Sequence, residues 1–115
     1  MEPRAEDCTQ RVYPARLDRP LLNNTEYRKY FPTFSALFKH FHVEILETVV
    51  DPNNHKVAFH ARSTGETVIG PYANEYMIMM QMTEDDAKIS SIKEFVDSGY
   101  SDEYFKRLRA YKAGD

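Results

Sequence analysis

The apolar residues change their spacing several times along the chain, and each change marks an element. Tyr27, Tyr30, Phe31, Phe34, Leu37, Phe38 and Phe41 recur at intervals of three and four, the spacing of one buried helical face. Asn23-Asn24-Thr25-Glu26 supplies the start signal: capping side chains, then an acid suited to the first turn. Pro32 lies inside this stretch and predicts a kink, or a short helix feeding a second one, because it removes a backbone donor and crowds the preceding turn. The aromatic stripe reads as core, with bulk suited to a helix lying across a curved sheet.

Upstream, Met1 to Glu6 reads as a polar lead-in, Cys8 to Tyr13 as a short strand closed by Pro14, and Ala15 to Leu22 as a surface loop. Downstream, His42 to Val50 alternates and is rich in Val and Ile, which predicts a strand. Asp51-Pro52-Asn53-Asn54 is a turn, since Pro presets one dihedral angle and Asn tolerates the left-handed region. Lys56 to Ser63 returns as a strand, and Thr64-Gly65-Glu66 predicts another turn. Two long strands follow, Gly70 to Met82 and Lys88 to Asp97, joined by a polar turn at Glu84-Asp85-Asp86. A final helix over Asp102 to Lys112, capped by Ser101, buries Tyr104, Phe105, Leu108 and Tyr111. This order predicts an α+β domain with a mostly antiparallel sheet, spanning residues 1–115.

The strand from Asn74 onward is apolar on both sides. Alternate side chains of a strand point to opposite faces, so Asn74, Tyr76, Ile78, Met80 and Met82 share one face, and Glu75, Met77, Met79 and Gln81 the other. A sheet with one wet face shows clean alternation of apolar and polar residues, and this one does not. The helices cover one face, which leaves the other for a second subunit in a two-fold homodimer.

Composition narrows the function classes. In 115 residues the apolar fraction is 42%, the charged fraction 29% and the formal net charge −3, which gives no electrostatic case for nucleic acid or an anionic membrane as partner. The single Cys8 excludes an internal disulfide and fits a reducing compartment. The N-terminus lacks a signal-peptide pattern and no apolar run is long enough to span a bilayer, so the cytosol is expected.

A curved sheet crossed by a helix makes a cone whose concave polar residues become pocket groups. His60 and Arg62 lie one pleat apart on one strand, Asp97 ends the last strand, and of Asn74 and Glu75 only one can face the pocket. A carboxylate and a histidine in an apolar cavity share acid and base work when desolvation brings their pKa values towards neutrality. The alternative is a satisfied interior His60, with Asp97 capping the last helix or binding Arg62. His40-Phe41-His42 lacks a third ligand at suitable spacing, so no metal site is expected. Gly-rich phosphate loops and nucleophile elbows are absent from the sequence.

The stretches Gly70-Pro71-Tyr72-Ala73-Asn74-Glu75-Tyr76, Lys88-Ile89 and Glu94-Phe95-Val96-Asp97-Ser98 resemble the SnoaL-like branch of the nuclear-transport-factor-2 superfamily. Within it they are most similar to the fungal meroterpenoid isomerases of the terretonin and austinol pathways. Cys8-Thr9-Gln10-Arg11-Val12-Tyr13-Pro14, Asn23-Asn24-Thr25-Glu26-Tyr27 and Phe41-His42-Val43-Glu44 agree, so the resemblance covers about Asp7 to Leu108. It implies a cone-shaped α+β fold with helices across the concave face, a homodimer, and acid/base rearrangement or ring formation on a polycyclic intermediate without a cofactor. The last strand is also similar to that of limonene-epoxide hydrolases, where the terminal Asp is catalytic, which would place Asp97 in the pocket. His60 and Arg62 stand where those enzymes keep an Arg and an Asp, so epoxide hydrolysis by their mechanism is not expected. The expected catalytic residues are therefore His60, Asp97 and Glu75, with Arg62, Tyr76 and Arg11 holding the substrate. Family members begin with a further helix ahead of the first strand, whereas here only Met1 to Asp7 precedes it, so an N-terminally shortened member is expected. A non-catalytic ligand-binding or dimerisation module is the competing expectation.

Overall fold

The structure, a computed structural model, describes residues 3–114. The chain runs β1 (Arg4–Tyr13), α1 (Asn24–Ser35), β2 (Lys39–Asp51), β3 (Lys56–Thr67), β4 (Gly70–Met82), β5 (Ile89–Val96) and α2 (Ser98–Ala113), with 3-10 turns at Ala15–Leu17 and Pro52–Asn54. The five strands form one sheet in the order β1-β5-β4-β3-β2. β2 to β5 are an antiparallel meander, and β1 joins the far edge parallel to β5.

Local chemistry fixes the helix boundaries. Asn23 accepts from the Glu26 amide at 2.8 Å while Glu26 accepts from the Asn23 amide at 2.9 Å, a reciprocal capping box that satisfies two otherwise orphaned donors. Pro32 lies inside α1, which ends three residues later at Ser35. The aromatic stripe thus crosses from helix to strand: Phe41 belongs to β2, and the second helix expected after Pro32 does not form. α2 begins at Ser98 rather than Asp102, capped by Asp97 instead of Ser101, with the Asp97 carboxylate accepting from the Tyr100 amide.

Two further expectations are corrected. Arg4 to Glu6 belong to β1, with a register shift before Thr9, rather than to a loose lead-in; Met1 and Glu2 lie outside the described residues. Thr64-Gly65-Glu66 is not a turn. β3 continues to Thr67, and the reversal falls at Val68-Ile69 before Gly70. Gly70 has φ of +116°, a conformation that L side chains rarely adopt. Gly65 serves the core instead: a Cβ there would stand 3.2 Å from Phe38 Cδ1 and 3.3 Å from Phe41 Cδ1, so its missing side chain is what admits both rings.

Burial alternates along β4. Tyr72 and Asn74 are buried and Tyr76, Ile78 and Met80 half-buried, whereas Pro71, Ala73, Glu75, Met77 and Met79 are exposed. On the concave side the Phe34, Phe38, Phe41, Tyr72 and Phe105 rings form one cluster with centroids 4.9–6.5 Å apart, in the tilted and edge-on arrangements that favour opposed quadrupoles. Tyr104, 3% exposed, extends the cluster, and its hydroxyl bonds Thr67 Oγ1 at 2.6 Å and the Gly70 carbonyl at 2.9 Å, tying α2 to the β3–β4 reversal. Leu108, also 3% exposed, sits one turn further along α2.

Leu108→Ala should therefore lower the unfolding free energy by roughly 2–5 kcal/mol, the cost of a large-to-small change at a buried leucine. Urea unfolding measures it, and a loss below about 0.5 kcal/mol would show that α2 does not anchor the fold through this residue.

Candidate active site

The concave side encloses a cavity of about 230 Å³ between the sheet, α1, α2 and the loop carrying Arg19. Tyr27, Tyr30, Phe31 and Phe34 of α1, Phe41 and Val43 of β2, and Phe105 of α2 give it aromatic and aliphatic walls. Its floor is polar: Tyr72, Asn74 and Tyr76 of β4, Glu94 of β5 and Gln10 of β1 face into it. The pleat explains the set. Tyr72, Asn74 and Tyr76 are spaced by two, and Glu94 opposes Ile78 on the neighbouring strand while Val96 opposes Tyr76.

Two polar groups stand out. Glu94 Oε1 accepts from Gln10 Nε2 at 2.5 Å. Burial pushes the Glu94 carboxyl above its ordinary 4.5, because desolvation outweighs the Gln10 hydrogen bond and the positive charges of Arg19 and Arg4. The second is a hydroxyl chain. Asn74 Nδ2 donates to the Tyr72 hydroxyl at 2.9 Å and to Ser101 Oγ at 2.8 Å. Ser63 Oγ lies 2.7 Å from the Tyr76 hydroxyl. Burial raises both phenols above the usual tyrosine value. Either hydroxyl of the Ser63–Tyr76 pair can donate, so with Ser63 donating the Tyr76 proton is left for a bound molecule. Arg19 closes one side, donating to the Tyr30 hydroxyl at 3.1 Å with its guanidinium 5.4 Å from that ring's centroid.

Of the residues singled out in the sequence, Tyr76 is on the cavity floor and Arg11 also lines the cavity. The others lie elsewhere. His60 opposes Met77, and Arg62 opposes Glu75, on the outward pleat of the sheet. His60 Nε2 and Glu75 Oε2 pair at 2.5 Å, and with Glu47, Phe95 and Asp97 they edge a shallow depression that opens to solvent. Arg62 pairs with Glu44 at 2.7 Å on the same outer face. Asn74, not Glu75, faces the cavity. Asp97 caps α2, the alternative that the sequence left open. Among the described residues no three His, Cys, Asp or Glu side chains converge as metal ligands.

Glu94 is the site residue that sequence reasoning missed. Between Lys93 and Phe95 it reads as a surface charge, yet the period of two sets it on the apolar pleat with Ile92 and Val96. A charged residue occupying an apolar slot was the available signal.

A curved sheet with helices across its concave face and a polar floor inside an aromatic cavity is the nuclear-transport-factor-2-like architecture, and solved structures of that fold superpose on the chain. The BvnE pinacolase of Penicillium brevicompactum does so with a TM-score of 0.90 and 32% identity, covering 94% of this chain and 76% of that one. PrhC of Penicillium brasilianum, named an isomerase, gives a TM-score of 0.88 and 32% identity over 96% of this chain and 76% of that one. Among characterised sequences, austinoid biosynthesis clusters protein F of P. brasilianum is 37% identical over 98 residues, 83% of this chain and 65% of that protein. Monooxygenase nsrQ of Aspergillus novofumigatus is 30% identical over 109 residues, 95% of this chain and 72% of that protein. No protein-family model matches. The chain belongs to the SnoaL-like, nuclear-transport-factor-2-like family that includes these fungal proteins, and it spans 65% of the length of the austinoid protein F.

The Glu94 carboxyl has a signature in stability. A carboxyl whose folded-state pKa is raised binds more protons folded than unfolded between the two values, so stability falls as pH rises through that window. Wild type should therefore lose stability relative to Glu94→Gln as pH rises from its ordinary 4.5 through the raised value. Urea unfolding of both proteins at pH 4 and pH 7 reads the difference, and a gap independent of pH would contradict the shift.

Proposed function

We propose that the chain catalyses an acid/base rearrangement or ring closure of a polycyclic intermediate in fungal secondary metabolism, with Glu94 and Tyr76 carrying the proton transfers. The observation behind this is a desolvated carboxyl and a desolvated phenol sharing the floor of one aromatic cavity. A carboxyl raised towards neutrality gives and takes a proton with little driving-force penalty. In the reaction, Glu94 removes a proton from a substrate hydroxyl or carbon acid as a bond migrates. Tyr76, backed by Ser63, hydrogen bonds the oxygen on which negative charge develops. The proton then returns to the product, so the isomerisation is balanced. The walls of Tyr27, Tyr30, Phe31, Phe34 and Phe105 present flat apolar area suited to fused rings. The pinacolase name of BvnE and the isomerase name of PrhC support a rearrangement over an oxygenation.

The outer face bears Val49 (59% exposed), Met77 (51%) and Phe95 (49%) between charged groups. Homodimerisation through this face would bury them, and the His60–Glu75 pair with them. No described helix is long and apolar enough to cross a membrane, and the buried Cys8, the single cysteine of the sequence, suits the cytosol.

Metabolite profiling of a deletion strain of the producing organism tests the site. Wild type restores the rearranged product, Glu94→Gln and Tyr76→Phe lower its formation by about 100-fold or more, and His60→Ala restores it. Product loss with His60→Ala but not with Glu94→Gln would move the chemistry to the outer face. For the dimer, sedimentation of Met77→Glu should show monomer where wild type shows dimer; a wild-type monomer would sink the assembly.

A further inference from the structure

A neutral amide stands between Glu94 and Arg4 of the neighbouring strand β1. Arg4 Nη1 donates to Gln10 Oε1 at 2.7 Å, and Gln10 Nε2 donates to Glu94 Oε1 at 2.5 Å. Gln10 is 9% exposed, and its backbone is held by a two-way bridge to Leu22. Arg4 is anchored in turn, its Nε donating to Asn24 Oδ1 at 2.7 Å and its guanidinium 4.3 Å from the Tyr27 ring centroid. A guanidinium is donor-only. Arg4 therefore dictates which end of the Gln10 amide faces it, and the NH2 end is left to face Glu94.

We propose that Gln10, oriented by Arg4, is a positioning residue that holds Glu94 Oε1 as a permanent acceptor and so confines the transferable proton to Oε2. The inference rests on Glu94 being the acid/base group. A carboxyl free to rotate offers either oxygen to a substrate, whereas this one presents a single oxygen in a fixed direction, the preorganisation that proton transfer rewards. The amide also keeps the Arg4 charge one side chain away. A direct Arg–Glu pair would hold the carboxyl ionised, whereas the relayed contact lets desolvation prevail. The other charged or titratable groups around Glu94 are Arg19 from the loop, Tyr27 from α1, Tyr76 from β4 and, lining the same cavity, Arg11 of β1.

The test follows the Glu94 carboxyl carbon by NMR through a pH titration of the full chain labelled at glutamate. Gln10→Leu removes the donor and should raise the Glu94 midpoint by about one pH unit. Arg4→Met frees the amide to flip and accept from protonated Glu94, which also raises it, whereas Arg4→Lys, still a donor, stays near wild type. In the Gln10→Leu background Arg4→Met should add clearly less than it does alone. Equal effects of Arg4→Met in both backgrounds would show that Arg4 acts as a bare charge through space and overturn the relay, as would an unmoved midpoint in Gln10→Leu. Should Gln10→Leu fail to fold, Gln10→Met, close to glutamine in length and uncharged, cannot donate to Glu94 and must raise the midpoint. The titration is independent of turnover: if Glu94→Gln remains active, the proposed function fails while the relay stands or falls on the NMR result alone.

Discussion

The pleat of β4 and β5 is the constraint on which the rest depends. Because successive side chains point to opposite faces, a one-residue shift in either strand would move every floor group out of the cavity. Held in register, the two strands put Tyr72, Asn74, Tyr76 and Glu94 under the aromatic walls and send Glu75, Met77 and Phe95 outward. The tight reversal before Gly70 and the Tyr104 contacts to both sides of it pin β4 in register with β3.

The walls and the floor are energetically linked. Phe34, Phe38, Phe41, Tyr72 and Phe105 come from both helices, two strands and the α1–β2 connection, so the cluster that fastens the helices to the sheet also excludes water from the floor. Desolvation in turn raises Glu94, Tyr72 and Tyr76. A carboxyl that would be an ordinary ionised group at a surface becomes one able to exchange protons. Gln10 and Asn74 then give each group a hydrogen-bond direction.

Much of this was legible in the sequence, and the gaps have physical causes. The order of elements, the two faces of β4 and the family follow from periodicity and from the stretch around Gly70 to Tyr76. The aromatic stripe reads as one helical face because Phe41 keeps a helical interval from Phe38; only the chain's reversal after Ser35 shows it to be a strand residue. His60 and Arg62 do lie one pleat apart, but which face they share depends on pairing with β4. That pairing hinges on a reversal at Val68-Ile69, two β-branched residues with no turn signature of their own. Glu94 was hidden for the opposite reason, its charge masking a position that periodicity assigns to the interior.

We propose that ligand chemistry belongs to the concave cavity and not to the outer depression around His60. The decisive measurement is an NMR titration of the isotopically labelled protein with a neutral polycyclic ketone. Binding in the cavity shifts Tyr76, Glu94 and Phe34 together and saturably while His60, Met77 and Phe95 stay fixed. Saturable shifts at His60 and Met77, with Tyr76 and Glu94 unmoved, would contradict it.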